Sequence, residues 1–154
     1  STLTVNVQKS QAIAATDATK IGLSAFNSSD FSVDSNGFVS IIAGGFTWTD
    51  AVNATYTLAA QNGYVTDRGG GVTYTLPASG TLGDTIKIVG KLGAWTIAQN
   101  ANQQIVFGSS SSTVGVTGSV ASTNVGDCAE LICITAGAST VWRIDSAVGN
   151  LTVT

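Results

Sequence analysis

The chain has 154 residues, of which six are Lys or Arg, nine are Asp or Glu and none is His. Charged residues make up 10% of it, against about 25% in an average soluble domain. A net charge of −3 and a pI near 4.4 leave no basic footprint for nucleic acid or an anionic membrane. The lack of His excludes a Ser-His-Asp triad, a Cys-His pair and a His-ligated metal within one chain.

The length fits one domain of ordinary size with a small appendage, and a hydrophobic content of 44% can fill its core. No run of roughly 18 apolar residues suggests a membrane helix. Polarity comes instead from Ser, Thr, Asn, Gln and Gly, as in Ser109-Ser110-Ser111-Ser112-Thr113. A neutral surface of hydroxyls and amides suits work outside the cell. A chain so poor in charge is expected to hide part of that surface against copies of itself. The N-terminus, Ser1-Thr2-Leu3-Thr4-Val5, lacks the charged and apolar regions of a signal peptide. The chain also contains no Met and reads as a piece of a longer or trimmed polypeptide.

Along the chain, short strand patterns alternate with turn residues. Leu3, Val5 and Val7 alternate with polar neighbours, and the Ala-rich stretch Gln11 to Lys20 is the one helical candidate, weakened by its Thr content. Phe31-Ser32-Val33 and Phe38-Val39-Ser40-Ile41 flank Asp34-Ser35-Asn36-Gly37, whose Asn-Gly is a strong hairpin signal. A boundary is expected near Ala43-Gly44-Gly45. It separates an N-terminal neck or linking module (1–43) from a C-terminal β-domain (44–154). Further strands are expected at Gly63 to Thr66, Val72 to Leu76, Thr85 to Val89, Trp95 to Gln99, Gln104 to Phe107, Ala129 to Thr135, Val141 to Asp145 and Leu151 to Val153. The spacing, with no internal repeat of fixed period, predicts an all-β fold: a small β module followed by a β-sandwich or barrel-like domain.

Little in the sequence points to reaction chemistry. Asp67-Arg68-Gly69-Gly70-Gly71 lacks the Gly-Lys-Ser/Thr and following helix of a phosphate loop and reads as a loop between strands, with Arg68 free to meet a ligand or pair with Asp67. Asp127 and Glu130, three apart on a strand, fall on opposite faces and form no acid pair within one chain. Cys128 and Cys133, five apart, also fall on opposite faces about 16 Å apart and cannot bond to each other. Both read as small apolar side chains, with an interchain bridge as the alternative. The sequons at Asn27, Asn53 and Asn150 matter only in a eukaryotic secretory host. Trp95 and Trp142 are expected in the core, and Trp48 at the junction or a subunit contact. Tyr56, Tyr64 and Tyr74 are candidates for lining a sugar groove.

Two stretches together carry a resemblance. Residues Lys20-Ile21-Gly22-Leu23-Ser24-Ala25-Phe26 through Phe38-Val39-Ser40-Ile41 resemble the segment that precedes the distal domain of bacteriophage tail fibres. The remainder is similar to a C-terminal β-domain of phage fibres and phage-derived bacterial surface proteins. It runs from Gly63-Tyr64 through Leu76-Pro77, Gly83-Asp84, Trp95-Thr96-Ile97-Ala98-Gln99-Asn100 and Ile105 to Gly108, to Gly149-Asn150-Leu151-Thr152-Val153. The motifs are turn-and-strand patterns and carry no catalytic signature. The resemblance implies a homotrimeric receptor-binding tip, outside the cell on the virion, that attaches to a bacterial surface glycan or protein.

The expected function is therefore attachment without catalysis, without cofactor or metal, and without nucleic acid or membrane insertion. The alternatives are a bacterial adhesin or carbohydrate-binding domain, and a purely structural trimerisation domain. The loops richest in recognition groups supply the candidate ligand-binding residues: Tyr64, Asp67 and Arg68 in one, and Asn100, Asn102, Gln103 and Gln104 in the other.

Overall fold

The computed structural model describes residues 31–34, 38–41 and 45–154. The strand expected at Leu3 to Val7 and the helical candidate at Gln11 to Lys20 lie outside these residues. The chain divides into two compact units, Ser1–Gly44 and Gly45–Thr154.

In the first unit, β1 (Phe31–Val33) and β2 (Val39–Ile41) pair antiparallel, with Phe31 opposite Ile41 and Val33 opposite Val39. Asp34 closes the pair. Its N–H donates to the Phe38 carbonyl at 3.0 Å, and its carboxylate accepts the Phe38 N–H at 2.9 Å. The hairpin read from the Asn36-Gly37 signal is present, with residues 35–37 of its turn outside the description.

The second unit is built from strands alone among the described residues. In order these are β3 (Thr47–Ala51), β4 (Thr55–Thr57), β5 (Asn62–Thr66), β6 (Val72–Thr75), β7 (Thr85–Gly90), β8 (Trp95–Ala98), β9 (Gln104–Phe107), β10 (Ser110–Ser111), β11 (Ser119–Ser122), β12 (Cys128–Thr135), β13 (Val141–Val148) and β14 (Leu151–Val153). They form a seven-stranded sheet in the order β10-β9-β13-β12-β7-β5-β3 and a five-stranded sheet in the order β14-β11-β8-β6-β4. The all-β class expected from the turn spacing is what the described residues adopt. The expectation did not include β3, β4, β10 and β11, whose sequences are too short or too rich in Ser, Thr and Ala to stand out.

From β3 to β8 the chain alternates strictly between the two sheets, and within each sheet these strands run parallel. Each β-strand pair is thus one coil stacked on the last. Thr47 stands beside Asn62, and Asn62 beside Ile86, so successive coils differ in length. That inequality is why no fixed period is visible in the sequence. After β8 the pairing turns mostly antiparallel, with β12 joining β7 to β13 and β11 joining β8 to β14.

The core lies between the sheets and follows from the period-2 alternation of strand side chains. Tyr64, Ile86, Ile88, Leu131, Trp142 and Ile144 face inward from the larger sheet, and Tyr74, Ile97 and Val120 from the smaller, all buried. Each such side chain, fully buried, contributes roughly 1.5–3 kcal/mol relative to exposure. A bulge in the β12–β13 pair preserves the pattern: Glu130 pairs with Ser146 while Leu131 pairs with Ile144, so the extra residue Asp145 sits exposed and both Ile144 and Ala147 still turn inward. Trp95, expected in the core, is 1% exposed, and its indole N–H donates to the Asp127 carbonyl at 2.8 Å. Asp127 is itself buried as the clasp of a turn, its carboxylate accepting the N–H of Thr123 at 2.9 Å and of Asn124 at 3.0 Å. Cys128 and Cys133 are both free thiols on opposite faces of β12, and Cys133 is the buried one.

Candidate ligand-binding face

The structure separates the two loops that the sequence offered as binding sites. Arg68 precedes β6 and Asn100 follows β8; because β6 and β8 run parallel, the loops sit at opposite ends of the five-stranded sheet. In one of them most of the recognition groups are engaged by the backbone, and Asn102 alone is left exposed.

At the far end, the amides serve the backbone. The Gln99 side-chain amide donates to the carbonyls of Gln103 (2.7 Å), Thr113 (3.0 Å) and Gly115 (3.0 Å), and its oxygen accepts the Ser112 hydroxyl. Gln103 is fully buried; it donates to the Pro77 carbonyl at 2.7 Å and accepts the Asn100 N–H at 3.0 Å. Asn100 donates to the Leu76 carbonyl at 2.7 Å and Gln104 to the Ser112 carbonyl at 2.8 Å. Asn102 alone is exposed, in a left-handed turn conformation with φ 64°. The backbone at this corner is irregular, and the amides brace its carbonyls, two of which, Gln103 and Gly115, also accept a backbone N–H. Gln103 is thereby corrected from a ligand contact to an internal brace.

Tyr64 is corrected in the same way. It is 5% exposed, its ring lies 5.5 Å from Tyr74 and 6.3 Å from Tyr56, and its hydroxyl accepts the Ala59 N–H at 2.9 Å. Tyr74 completes the cluster with a 2.9 Å hydrogen bond between its hydroxyl and that of Thr66, and burial pushes its phenol above the usual range. The three tyrosines do meet, as a groove would require, but inside the domain. Asp67 does not pair with Arg68: its Oδ2 accepts Lys91 Nζ at 2.5 Å, and its Oδ1 is buried with no partner among the described residues.

Arg68 is different. The loop behind it is a tight turn, the Gly71 N–H donating to the Arg68 carbonyl at 3.0 Å, and the guanidinium Nη1 donating back to the Gly71 carbonyl at 2.7 Å. Glycines make this possible. A Cβ on Gly70 would lie 2.7 Å from Nη1, and one on Gly93 only 2.1 Å from the Arg68 carbonyl. The guanidinium therefore lies over bare backbone, at the side of a cleft of about 430 Å³ whose walls include Thr55, Thr73, Thr96, Ala94 and Ser122. No carboxylate lines it.

The threonines belong to a larger pattern that sequence reading missed. Tyr56, Tyr74, Ile97, Val120 and Val153 pair across the five strands and turn inward, so their neighbours turn outward in two straight rows. One row runs Thr55, Thr73, Thr96, Ala121, Thr152. The other runs Thr57, Thr75, Ala98, Ser119, Thr154, the last pair joined by reciprocal backbone hydrogen bonds. Every position is Thr, Ser or Ala. Hydroxyls and methyls thus recur about every 4.8 Å across the strands and about every 6.7 Å along them. The repeated Thr-x-Thr of 55–57 and 73–75 was the available signal, invisible without the register.

Among the described residues no three Cys, Asp or Glu side chains gather as metal ligands. The chain matches no protein-family model and no curated protein.

Proposed function

We propose that the chain is the receptor-attachment region of a homotrimeric bacteriophage tail fibre, and that it holds a bacterial surface glycan without turning it over. The observation that carries this reading is the outer face of the five-stranded sheet, an uncharged array of hydroxyls ending in the Arg68 cleft. Sugar hydroxyls are both donors and acceptors, as threonine hydroxyls are, and a neutral face matches them without stripping water from charges. The turn-and-strand resemblance to phage fibre tips adds to it.

Binding without turnover is the reading because no carboxylate among the described residues lines the cleft, and the acids weighed in the sequence are engaged elsewhere. Asp67 pairs with Lys91, Glu130 pairs with Lys87 at 3.2 Å, and Asp127 clasps its own turn. Trimer formation is assigned to the outer face of the seven-stranded sheet. There Val65, Val89, Cys128 and Val148 form an apolar row across β5, β7, β12 and β13, beside the exposed Trp48. Apolar side chains aligned on an open sheet are stabilised by covering them with another copy.

The test is adsorption of the labelled protein to a panel of bacterial strains, before and after periodate oxidation of their surface polysaccharide. The reading expects binding to some strains, lost on oxidation and lost when Thr73 and Thr96 are both replaced by Trp, whose bulk covers the face without adding charge. Binding that survives oxidation would make the receptor a protein, and release of shortened oligosaccharides would make the chain an enzyme.

A further inference from the structure

Resting on the attachment reading, we infer that the Arg68 cleft selects an acidic glycan, taking the carboxylate of a uronic-acid-type sugar while the threonine row carries its neutral neighbours. Among the described residues Arg68 is the only charged one that lines the cleft. Its Nη1 is spent on the Gly71 carbonyl, but the Nε–Nη2 edge has no partner among the described residues. Two parallel N–H donors on a planar edge match the two oxygens of a carboxylate, a fork that an ammonium cannot reproduce.

The loop looks built to present that edge. Nη1 is tethered at 2.7 Å, Gly70 leaves the guanidinium room to lie flat, and Gly93 lets the Arg68 carbonyl approach. A tethered guanidinium loses less rotamer freedom on binding than a free arginine, so more of each hydrogen bond survives as affinity. The neighbouring carboxylate, Asp67, does not compete, because Lys91 holds it. The hydroxyls of Thr55, Thr73 and Thr96 line the same cleft as Arg68 and stand in register across three adjacent parallel strands. A linear polymer laid across the strands would meet one hydroxyl per strand. The ligand class is therefore an acidic polysaccharide with carboxylates at intervals, not a sulfated polymer recognised by charge alone.

Affinity electrophoresis of the intact protein decides this, in gels containing alginate, polygalacturonate, dextran or dextran sulfate. Retardation by a carboxylated polymer, at least about tenfold stronger than by dextran, is expected, with about tenfold loss in Arg68→Gln and a smaller rescue in Arg68→Lys. Thr73→Glu, which leaves the Arg68 loop untouched, should abolish retardation by repulsion. Circular dichroism and the melting midpoint guard against a folding defect. Retardation by neither carboxylated polymer overturns the inference, as does equal retardation by dextran sulfate with Arg68→Lys as good as the parent. Strain adsorption that persists in Arg68→Gln but is lost when Thr73 and Thr96 become Trp would remove the acidic ligand and leave glycan attachment standing.

Discussion

Asp127 is a carboxylate that the fold commits to its own turn. One carboxylate oxygen accepts the two backbone N–H groups of Thr123 and Asn124 and so fixes the turn. Asp127→Ala should cost about 3–6 kcal/mol in urea unfolding, since hydrogen bonds to a charged acceptor are worth about 1.5–3 kcal/mol each and two are lost. Asp127→Asn should cost less, because an amide oxygen still accepts both donors. Equal losses in the two variants would mean that the turn is held by something else. Titration adds a second expectation at this scale. Burial pushes the Cys133 thiol above its ordinary value of 9.0 and the Tyr74 phenol above 10.0. Both groups therefore keep their protons longer in the folded chain than in the unfolded one. Their stabilisation is complete below the unfolded values and is lost as pH rises through the folded ones, beginning near pH 9 with Cys133. Melting midpoints should be flat with respect to these two groups from about pH 7 to pH 9 and fall beyond, and Cys133→Ala should delay the fall. A midpoint that climbs above pH 9 would reverse the assignment.

Elements in this domain are short, and several are held as much by side chains as by ladders. The corner between β8 and β9 depends on Gln99, which alone donates to three carbonyls there. Gln99→Leu keeps the volume and removes the donors, so it should destabilise by about 2–3 kcal/mol, well beyond a surface substitution. Hydrogen exchange should rise at the Ile105 amide, whose N–H donates to the Ser112 hydroxyl that Gln99 positions. Strand β12 offers a simpler check. Its alternation puts Cys133 in the core and Cys128 outside, so a non-reduced digest should contain no Cys128–Cys133 bridge, and alkylation of Cys133 should require unfolding. An intrachain bridge would mean that β12 is not a continuous strand.

For the second unit as a whole, the two outer faces have different compositions. One is the hydroxyl array with the Arg68 cleft; the other carries Val65, Val89, Cys128 and Val148 in a row, with the Lys87–Glu130 ion pair alongside. That division is what a module needs if it must both self-associate and bind a ligand. Sedimentation should give about three times the chain mass of 15.5 kDa. Val89→Asp, placed on the outward side of β7, should dissociate the assembly without disturbing the Ile86 and Ile88 core. A monomeric parent would confine the function to single-chain binding.

Much of this was legible in the sequence by itself. Alternation of apolar and polar residues is a local property, so the all-β class, the strands carrying Trp95, Ile86 and Trp142, and the opposed cysteines could be read before any fold was known. The Asn36-Gly37 hairpin was readable for the same reason. What only tertiary structure decided is which strands stand side by side. The stacking of unequal coils aligned Thr55, Thr73 and Thr96, from three separate stretches, into one row. It also turned Tyr64 and Gln103 inward although their loops looked exposed, because burial depends on what packs above a residue and not on its neighbours in the chain. Arg68 was visible as a loop cation, but its tether to Gly71 and its place at the cleft required the close approach of Gly93, a contact between two stretches that composition and spacing do not encode.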